Sequence, residues 1–433
     1  MTAQLSAAPA QARESQRIRE LDSRYLNPGA GPASPLVWDH ARGSIINDTD
    51  GREYIDLACG TLITNLGHAH PGVVSAIAAA AARSLAFYNC SHRDRAELAR
   101  RLAEVTPGDL ERSAFFSSGS EAVDAAVRLA RLHTGRAEIV SFTGAFHGRT
   151  YLSLSVGGLG RLRQGLGLGV PGVLHAPYPD RTRTDGDGTQ AIRDLLASLS
   201  GGDVAAILAE PYQGAGGVII PPPGFLPGLR GLADELGALL IIDEVQSSYG
   251  RTGPMFATEH TGTVPDIMVL GKAMGNGYPV SAVVARPAVC ATVQPEQFSS
   301  SHSGNPGGCA AALAVLDAFA EEDVLGSGER LAALFSEQLT AIARNEKHVV
   351  QVRQQGLAIG VEVTSRDPGD SDAAYAKRVA AHLRSRGVVV NSPIGRSGNV
   401  IRVAPALTMR PELARQALGH LAAALAEAAL AVS

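Results

Sequence analysis

Four short apolar runs, AEIVSF (137–142), VAAILAE (204–210), LGALLIIDEV (236–245) and DIMVLG (266–271), set what this chain can fold into. Each is bounded by Gly, Pro or Asp, and from about residue 72 such runs alternate with Ala-rich helical stretches, as at 73–85 and 96–105. This alternation predicts an α/β fold with a mostly parallel sheet covered by helices on both faces. All four runs end where chemistry-capable residues begin. In open α/β sheets, ligands sit beyond the carboxyl ends of the strands.

The flanking regions read differently. Residues 44–47 and 53–56 are strand candidates around the turn cluster Asp48-Thr49-Asp50-Gly51, a hairpin signal. After residue 307 the helical run GCAAALAVLDAFAEED is followed by strand candidates at 357–363, 388–391 and 400–403, and by a closing helix from Pro411. We therefore expect a large domain over 61–310 and a smaller α+β domain built from both chain ends, 1–60 and 311–433. The Gly-rich segment GGLGRLRQGLGLGVPG (157–172) does not lie between a strand and a helix, so it reads as a loop and not as a dinucleotide fingerprint.

Composition removes several classes of function. With 433 residues, 45% of them hydrophobic and 18% charged, the chain can bury a large interior and is not disordered. Lys and Arg number 38 against 42 Asp and Glu, and no long run of one sign occurs, which argues against a nucleic-acid or anionic-membrane partner. No window approaches the roughly 18 apolar residues of a membrane span, and the first 20 residues lack a secretory pattern, so a cytoplasmic location is expected. Cys59, Cys90, Cys290 and Cys309 form no C-x-x-C pair and read as buried free thiols. The histidines show no metal-ligand spacing, and no metal is assigned.

Three features carry chemistry. The run SSGSEAVDAAVRLARLHTG (117–135) opens with an S-x-x-E capping box and closes at Gly135. Capping alone would explain its serines, but a helix start of this kind can also hold a phosphate on free N–H groups. Asp243 ends an intensely apolar strand, where a carboxylate is expensive to desolvate unless a cation or firm hydrogen bonds meet it. Lys272 follows the next apolar strand inside GKAMGNGYP, where glycines let the backbone pack close to a ligand, so its amine is a candidate nucleophile with a lowered pKa. Singly these have plain readings: a helix cap for the aspartate, a solvated side chain for the lysine. Together they match pyridoxal phosphate, whose phosphate, ring nitrogen and aldehyde call for a helix N-terminus, a carboxylate and a lysine.

From about residue 36 to about 425 the chain resembles the class III (ω-amino acid) aminotransferases of the fold-type I pyridoxal phosphate enzymes. The motifs, in family order, are GHAHP (67–71), SSGSEA (117–122), FTGAFHGRT (142–150), AEPYQGAGG (209–217), DEVQSSYGRTG (243–253), GKAMGNGYP (271–279), SHSGNP (301–306) and IRVAPALT (401–408). The resemblance implies that Lys272 carries the cofactor, Asp243 partners its ring nitrogen, and Gln246 bonds its ring hydroxyl. By the same route Phe146 stacks on the ring, Gly119 and Ser120 bind the phosphate, and Glu210 is an active-site glutamate. Ser301 stands where the family has a Thr reaching the phosphate of the neighbouring subunit, so a homodimer or dimer of dimers with a shared site is implied.

Two arginines are implied to read the substrate, since a guanidinium matches a carboxylate bidentately. Arg402 resembles the one that grips the α-carboxylate of an amino or oxo acid, and Arg149 the one that takes a distal carboxylate. The chain departs from the family at Gln213-Gly214-Ala215-Gly216, where a glutamate that neutralises the arginine is replaced by Ala215. Arg402 is thus left without a counter-charge, and carboxylate-bearing substrates are expected in both half-reactions. The activity implied is amino transfer from a carboxylate-bearing amino acid or ω-amine to an oxo acid, chiefly 2-oxoglutarate. The alternative is a racemase/epimerase or dialkylglycine decarboxylase type of enzyme on the same scaffold.

Overall fold

Every position of Val204–Ala209, Leu239–Asp243 and Ile267–Leu270 is buried, as strands covered on both faces must be. In the computed structural model, which describes residues 8–30, 34–84, 86, 90–367 and 369–430, they form the centre of a seven-stranded sheet. Its strands are β1 (Arg112–Phe116), β2 (Glu138–Phe142), β3 (Val173–Ala176), β4 (Val204–Ala209), β5 (Leu239–Asp243), β6 (Ile267–Leu270) and β7 (Ser281–Ala285). The spatial order is β1-β7-β6-β5-β4-β2-β3, and only β7 runs against its neighbours.

Alternate residues of each strand feed different cores, as the two-residue period of a strand requires. Ala206, Leu208, Ile241, Ile267 and Val269 pack with Val123, Ala126 and Ala130 of the helix Gly119–Thr134. Ile207, Ala209, Leu240 and Ile242 pack on the opposite face with Phe225, Leu229 and Leu232 of the helix Phe225–Leu236. Helix Gly119–Thr134 begins and ends as its sequence dictates: Ser118 and Glu121 form the capping box, and Gly135 closes the helix in the left-handed conformation with φ 69°.

The two ends of the chain meet. Ile45–Asp48 and Glu53–Asp56 form the expected hairpin, extended by Trp38–Arg42 on one side and by Val388–Val389 on the other. A second four-stranded sheet contains Val349–Gln355, Ala358–Val363, Val400–Val403 and Asn391–Ile394. The large hydrophobic core runs from Met268 and Leu270 of β6 through Leu331 and Phe335 to Ile359, Val361 and Leu421, so this sheet and the last helices pack on the same body.

Several expectations need correction. Trp38–Arg42 and Val349–Gln355 are strands that carry little apolar signal, because each is an edge strand with much of its surface in solvent. The single strand expected at 388–391 is two strands in different sheets, and the second contains Pro393, which an edge position tolerates. The loop expected at 157–172 holds a short helix at Gly160–Arg163. Of the cysteines, Cys59 and Cys309 are buried as expected, but Cys290 is half-buried and Cys90 exposed.

Candidate active site

The carboxyl ends of β2, β4, β5 and β6 open on a cavity of about 190 Å³. Its walls include Lys272, Asp243, Gln246, Phe146, Glu210, Gly119 and Ser120. Seven of the ten residues singled out from the sequence thus meet at one place, although they span 154 positions of the chain from 119 to 272.

Asp243, the last residue of β5, is buried, and its need for partners is met in two ways. Oδ1 accepts from the backbone N–H of Val245 at 3.0 Å, and Oδ2 accepts from Nδ1–H of His147 at 2.8 Å. His147 is itself fully buried. Burial pulls its pKa down, but the hydrogen bond and charge of Asp243 outweigh that and raise it. The partner that meets Asp243 is therefore this imidazole, with Lys272 near enough for its charge to be felt.

Lys272 lies two residues beyond β6, in the left-handed region with φ 46°, an uncommon conformation for a residue with a Cβ and a frequent mark of functional sites. The following turn is held in place by Asn276, whose side chain accepts from Leu66 N–H at 3.0 Å and donates to the Gly67 carbonyl at 3.0 Å. This ties the lysine loop to the GHAHP segment. Burial pulls the Lys272 amine down to about 8; the charge of Asp243 opposes this and that of Arg402 adds to it.

Glu210, just past β4, accepts from the Phe146 N–H at 3.0 Å. Burial pushes it up to about 7, opposed by His147 and reinforced by Asp243. Behind it, Tyr178 donates to the Glu210 carbonyl at 2.9 Å while its ring packs edge-on against Phe142 and Phe225. Two glycines make room for the site. A Cβ at Gly214 would lie 1.4 Å from Gln246 Oε1, and one at Gly148 would lie 2.5 Å from Ser120 Oγ, so neither position admits a side chain while these groups stay in place.

The cavity fits pyridoxal phosphate by its donor set. Gln246 Oε1 and His147 Nε2 are buried without a hydrogen-bond partner, as groups awaiting a ligand are. A carboxylate and an amine of lowered pKa share the cavity with the first turn of a capped helix.

Three predicted residues stand elsewhere. Arg402, on Val400–Val403, is buried outside the cavity lining, and its guanidinium makes no hydrogen bond or ion pair among the described residues. Arg149 is exposed; its N–H donates to Ser120 Oγ at 3.0 Å, and its guanidinium lies 5.9 Å from the centroid of the Phe146 ring. Ser301 is exposed and outside the cavity. Sequence reasoning missed His147 as the partner of Asp243, because nothing in one dimension links residues 96 positions apart. It also passed over Tyr212, although it lies inside a quoted motif.

A mostly parallel sheet of this order, with an amine and a carboxylate converging beyond its strand ends, defines a fold-type I pyridoxal phosphate enzyme. The family model for aminotransferase class-III matches residues 25–425. The chain is 35% identical to the acetylornithine aminotransferase of Methanothermobacter thermautotrophicus, over 94% of this chain and 99% of that one. It is 34% identical to the 4-aminobutyrate aminotransferase of Escherichia coli, over 93% and 96% respectively. An amine transaminase from an uncultivated Pseudomonas species, solved with pyridoxal phosphate bound, superposes with a TM-score of 0.85 at 31% identity, over 93% of this chain and 98% of that one. The chain belongs to the class III aminotransferases and is a pyridoxal phosphate-dependent transaminase.

Proposed function

We propose that this transaminase moves an amino group from a carboxylate-bearing amino acid or ω-amine to an oxo acid, with 2-oxoglutarate as the acceptor. The observation that carries this reading is Arg402, a buried guanidinium with no carboxylate opposite it, at a position where a bare charge is costly. Burial brings its pKa down to about 10, with Tyr212 opposing and Arg251 adding to the shift, so it is still charged at neutral pH. An anion from outside is the missing partner. The named substrates of the similar enzymes, acetylornithine and 4-aminobutyrate, both carry a carboxylate, which supports the same conclusion.

When bound, pyridoxal phosphate supplies an electrophilic carbon for the amine and a ring that takes up the electrons released as a C–H bond breaks. Lys272 would hold it covalently and, once released, take the proton from the substrate carbon and return it at the other end of the reaction. A pKa near 8 suits an amine that must be neutral to act as nucleophile and base. Asp243 would keep the ring nitrogen protonated, with His147 holding the carboxylate's orientation through Oδ2. Gln246 would bond the ring hydroxyl, Phe146 would cover one ring face, and Gly119 with Ser120 would take the phosphate. Glu210, whose negative charge is reduced because burial raises its pKa to about 7, would close the wall beside Phe146 without adding a second full negative charge.

Ser301 in this reading serves the neighbouring subunit of a homodimer, which its exposure in the single chain allows. Arg149 would meet a distal carboxylate by swinging off the Phe146 ring, on which it is not otherwise fastened. The division into a domain over 61–310 and one from both chain ends, and a cytoplasmic location, belong to the same proposal. Among the described residues no helix is long and apolar enough to cross a membrane.

The test is a panel of amino donors run against 2-oxoglutarate and pyruvate, with Arg402→Gln alongside. Stoichiometric consumption of the oxo acid separates transfer from racemisation or decarboxylation. The variant is expected to raise KM for 2-oxoglutarate about 10- to 100-fold, the cost of charge-assisted hydrogen bonds to a carboxylate. Fast turnover of monoamines that lack a carboxylate, with 2-oxoglutarate unable to accept, contradicts the reading.

A further inference from the structure

Tyr212 lines the cavity and lies within electrostatic reach of Arg402. Its ring packs with Val218, Ile220, Ala358 and Ile394, so it rests on the sheet that carries Arg402, while Tyr212 also lines the cavity with Lys272. Tyr212 is 2% exposed and its hydroxyl has no hydrogen-bond partner. Arg402 is 5% exposed, and its Nε has none either. A buried phenol with nothing to bond is unusual in a native interior, where nearly all such groups are paired.

The charges around these two groups state what is missing. Arg251, fully buried, donates only to neutral acceptors: the Leu357 carbonyl at 3.1 Å, the Pro405 carbonyl at 2.7 Å and Asn65 Oδ1 at 2.6 Å. Its field reaches both Tyr212 and Arg402. The two carboxyls that face Tyr212, Glu210 and Glu244, are each pushed by burial up to about 7 and so offer reduced negative charge. Two guanidinia within electrostatic reach of an unbonded hydroxyl on the cavity wall, with little opposing charge, favour an anion with more than one acceptor oxygen there.

We propose that Tyr212 is a substrate-contacting, specificity-determining residue, whose hydroxyl donates to the same carboxylate that Arg402 grips. The proposal rests on the reading of Arg402 as the carboxylate-binding arginine and adds a second, neutral donor to it. A carboxylate bridging both groups satisfies two buried donors at once. A substrate without one leaves both unpaired, and sites of this kind reject analogues that lack the matching group far more strongly than apolar pockets do.

The probe is glutarate, a dicarboxylate with no carbonyl to react, titrated by calorimetry into the holoenzyme as parent, Tyr212→Phe, Arg402→Gln and the double variant. Tyr212→Phe is expected to bind glutarate about 10-fold or more weakly, the loss of one hydrogen bond to a charged group. KM for 2-oxoglutarate should rise by a similar factor, more than kcat falls. Its melting temperature should not drop, because the hydroxyl removed has no partner in the free protein. The effect of Arg402→Gln should be smaller in the Tyr212→Phe background than alone, since both act on one carboxylate.

If Tyr212→Phe binds glutarate as the parent does while Arg402→Gln does not, the role of Tyr212 is overturned and that of Arg402 stands. If Arg402→Gln binds unchanged, the carboxylate reading of Arg402 fails and this proposal with it. A lowered melting temperature with unchanged affinity assigns the hydroxyl a structural role and also overturns the proposal. Should the phenylalanine variant not take up cofactor, Tyr212→Leu carries the same comparison.

Discussion

Replacing Lys272 by alanine lowers kcat by about 10³-fold or more, near the upper end of what one general acid–base group contributes and with its nucleophilic role lost as well. The protein should still fold, because the side chain makes no hydrogen bond that the fold depends on; its neighbours are the charges of Asp243, Arg402 and Glu210. The same residue sets a pH dependence in the parent protein. Burial lowers its pKa to about 8, so below that value the amine is protonated and cannot attack a carbonyl, and above it the neutral form prevails. Cofactor uptake by the apoprotein should therefore accelerate as pH rises through about 8 and level off beyond it. In Lys272→Ala that limb is absent. Stopped-flow absorbance of cofactor mixed with apoprotein across pH 6.5–9.5, a range chosen to bracket that value, reads both outcomes. A variant that keeps a tenth of parental turnover would remove Lys272 from the chemistry.

Asp243→Asn is expected to cost about 10²- to 10³-fold in kcat, the usual loss when one preorganised electrostatic partner of a reacting system is taken away. The substitution is close to isosteric. The single amide oxygen can still accept from His147 Nδ1–H or from Val245 N–H, so one of the contacts at 2.8 Å and 3.0 Å can be kept while the other is lost. What goes is the charge, and with it the force that raises the pKa of His147 and supports that of Lys272. The amine and the imidazole should both become less basic, while cofactor is held less tightly. Steady-state kinetics with an equilibrium-dialysis measurement of cofactor affinity check this. Turnover within tenfold of the parent would show that the carboxylate charge does not support the ring nitrogen.

Much of this site can be read from the chain before any folding is considered, and the reasons are local. Asp243 betrays itself by following Leu-Leu-Ile-Ile, where only a functional or firmly bonded carboxylate is tolerated. Ser118 and Glu121 announce a helix start by their spacing, and the capping box is there. The strands β2, β4, β5 and β6 are legible because burial makes them largely apolar, whereas β1, β3 and β7 are not read from the sequence. The hidden parts are those settled by contacts between distant segments. His147 acquires its role only when β2 and β5 bring it beside Asp243, and Tyr212 only when its loop packs on a sheet formed by residues 358 and 394. The edge strands Trp38–Arg42 and Val349–Gln355 escape notice since solvent exposure removes the hydrophobic pattern that marks a strand. The exposed Cys90 shows the limit of composition arguments, which give the habit of a residue type and not the place of one residue.

The central claim is that one amine and one carboxylate, arriving from neighbouring strands, hold a single pyridoxal phosphate between them. Borohydride reduction of the holoenzyme, followed by proteolysis and mass spectrometry of the peptide that contains residue 272, tests it directly. The account predicts the reduced cofactor attached at Lys272 and nowhere else. An unmodified Lys272, with the label on another lysine or on none, would contradict it.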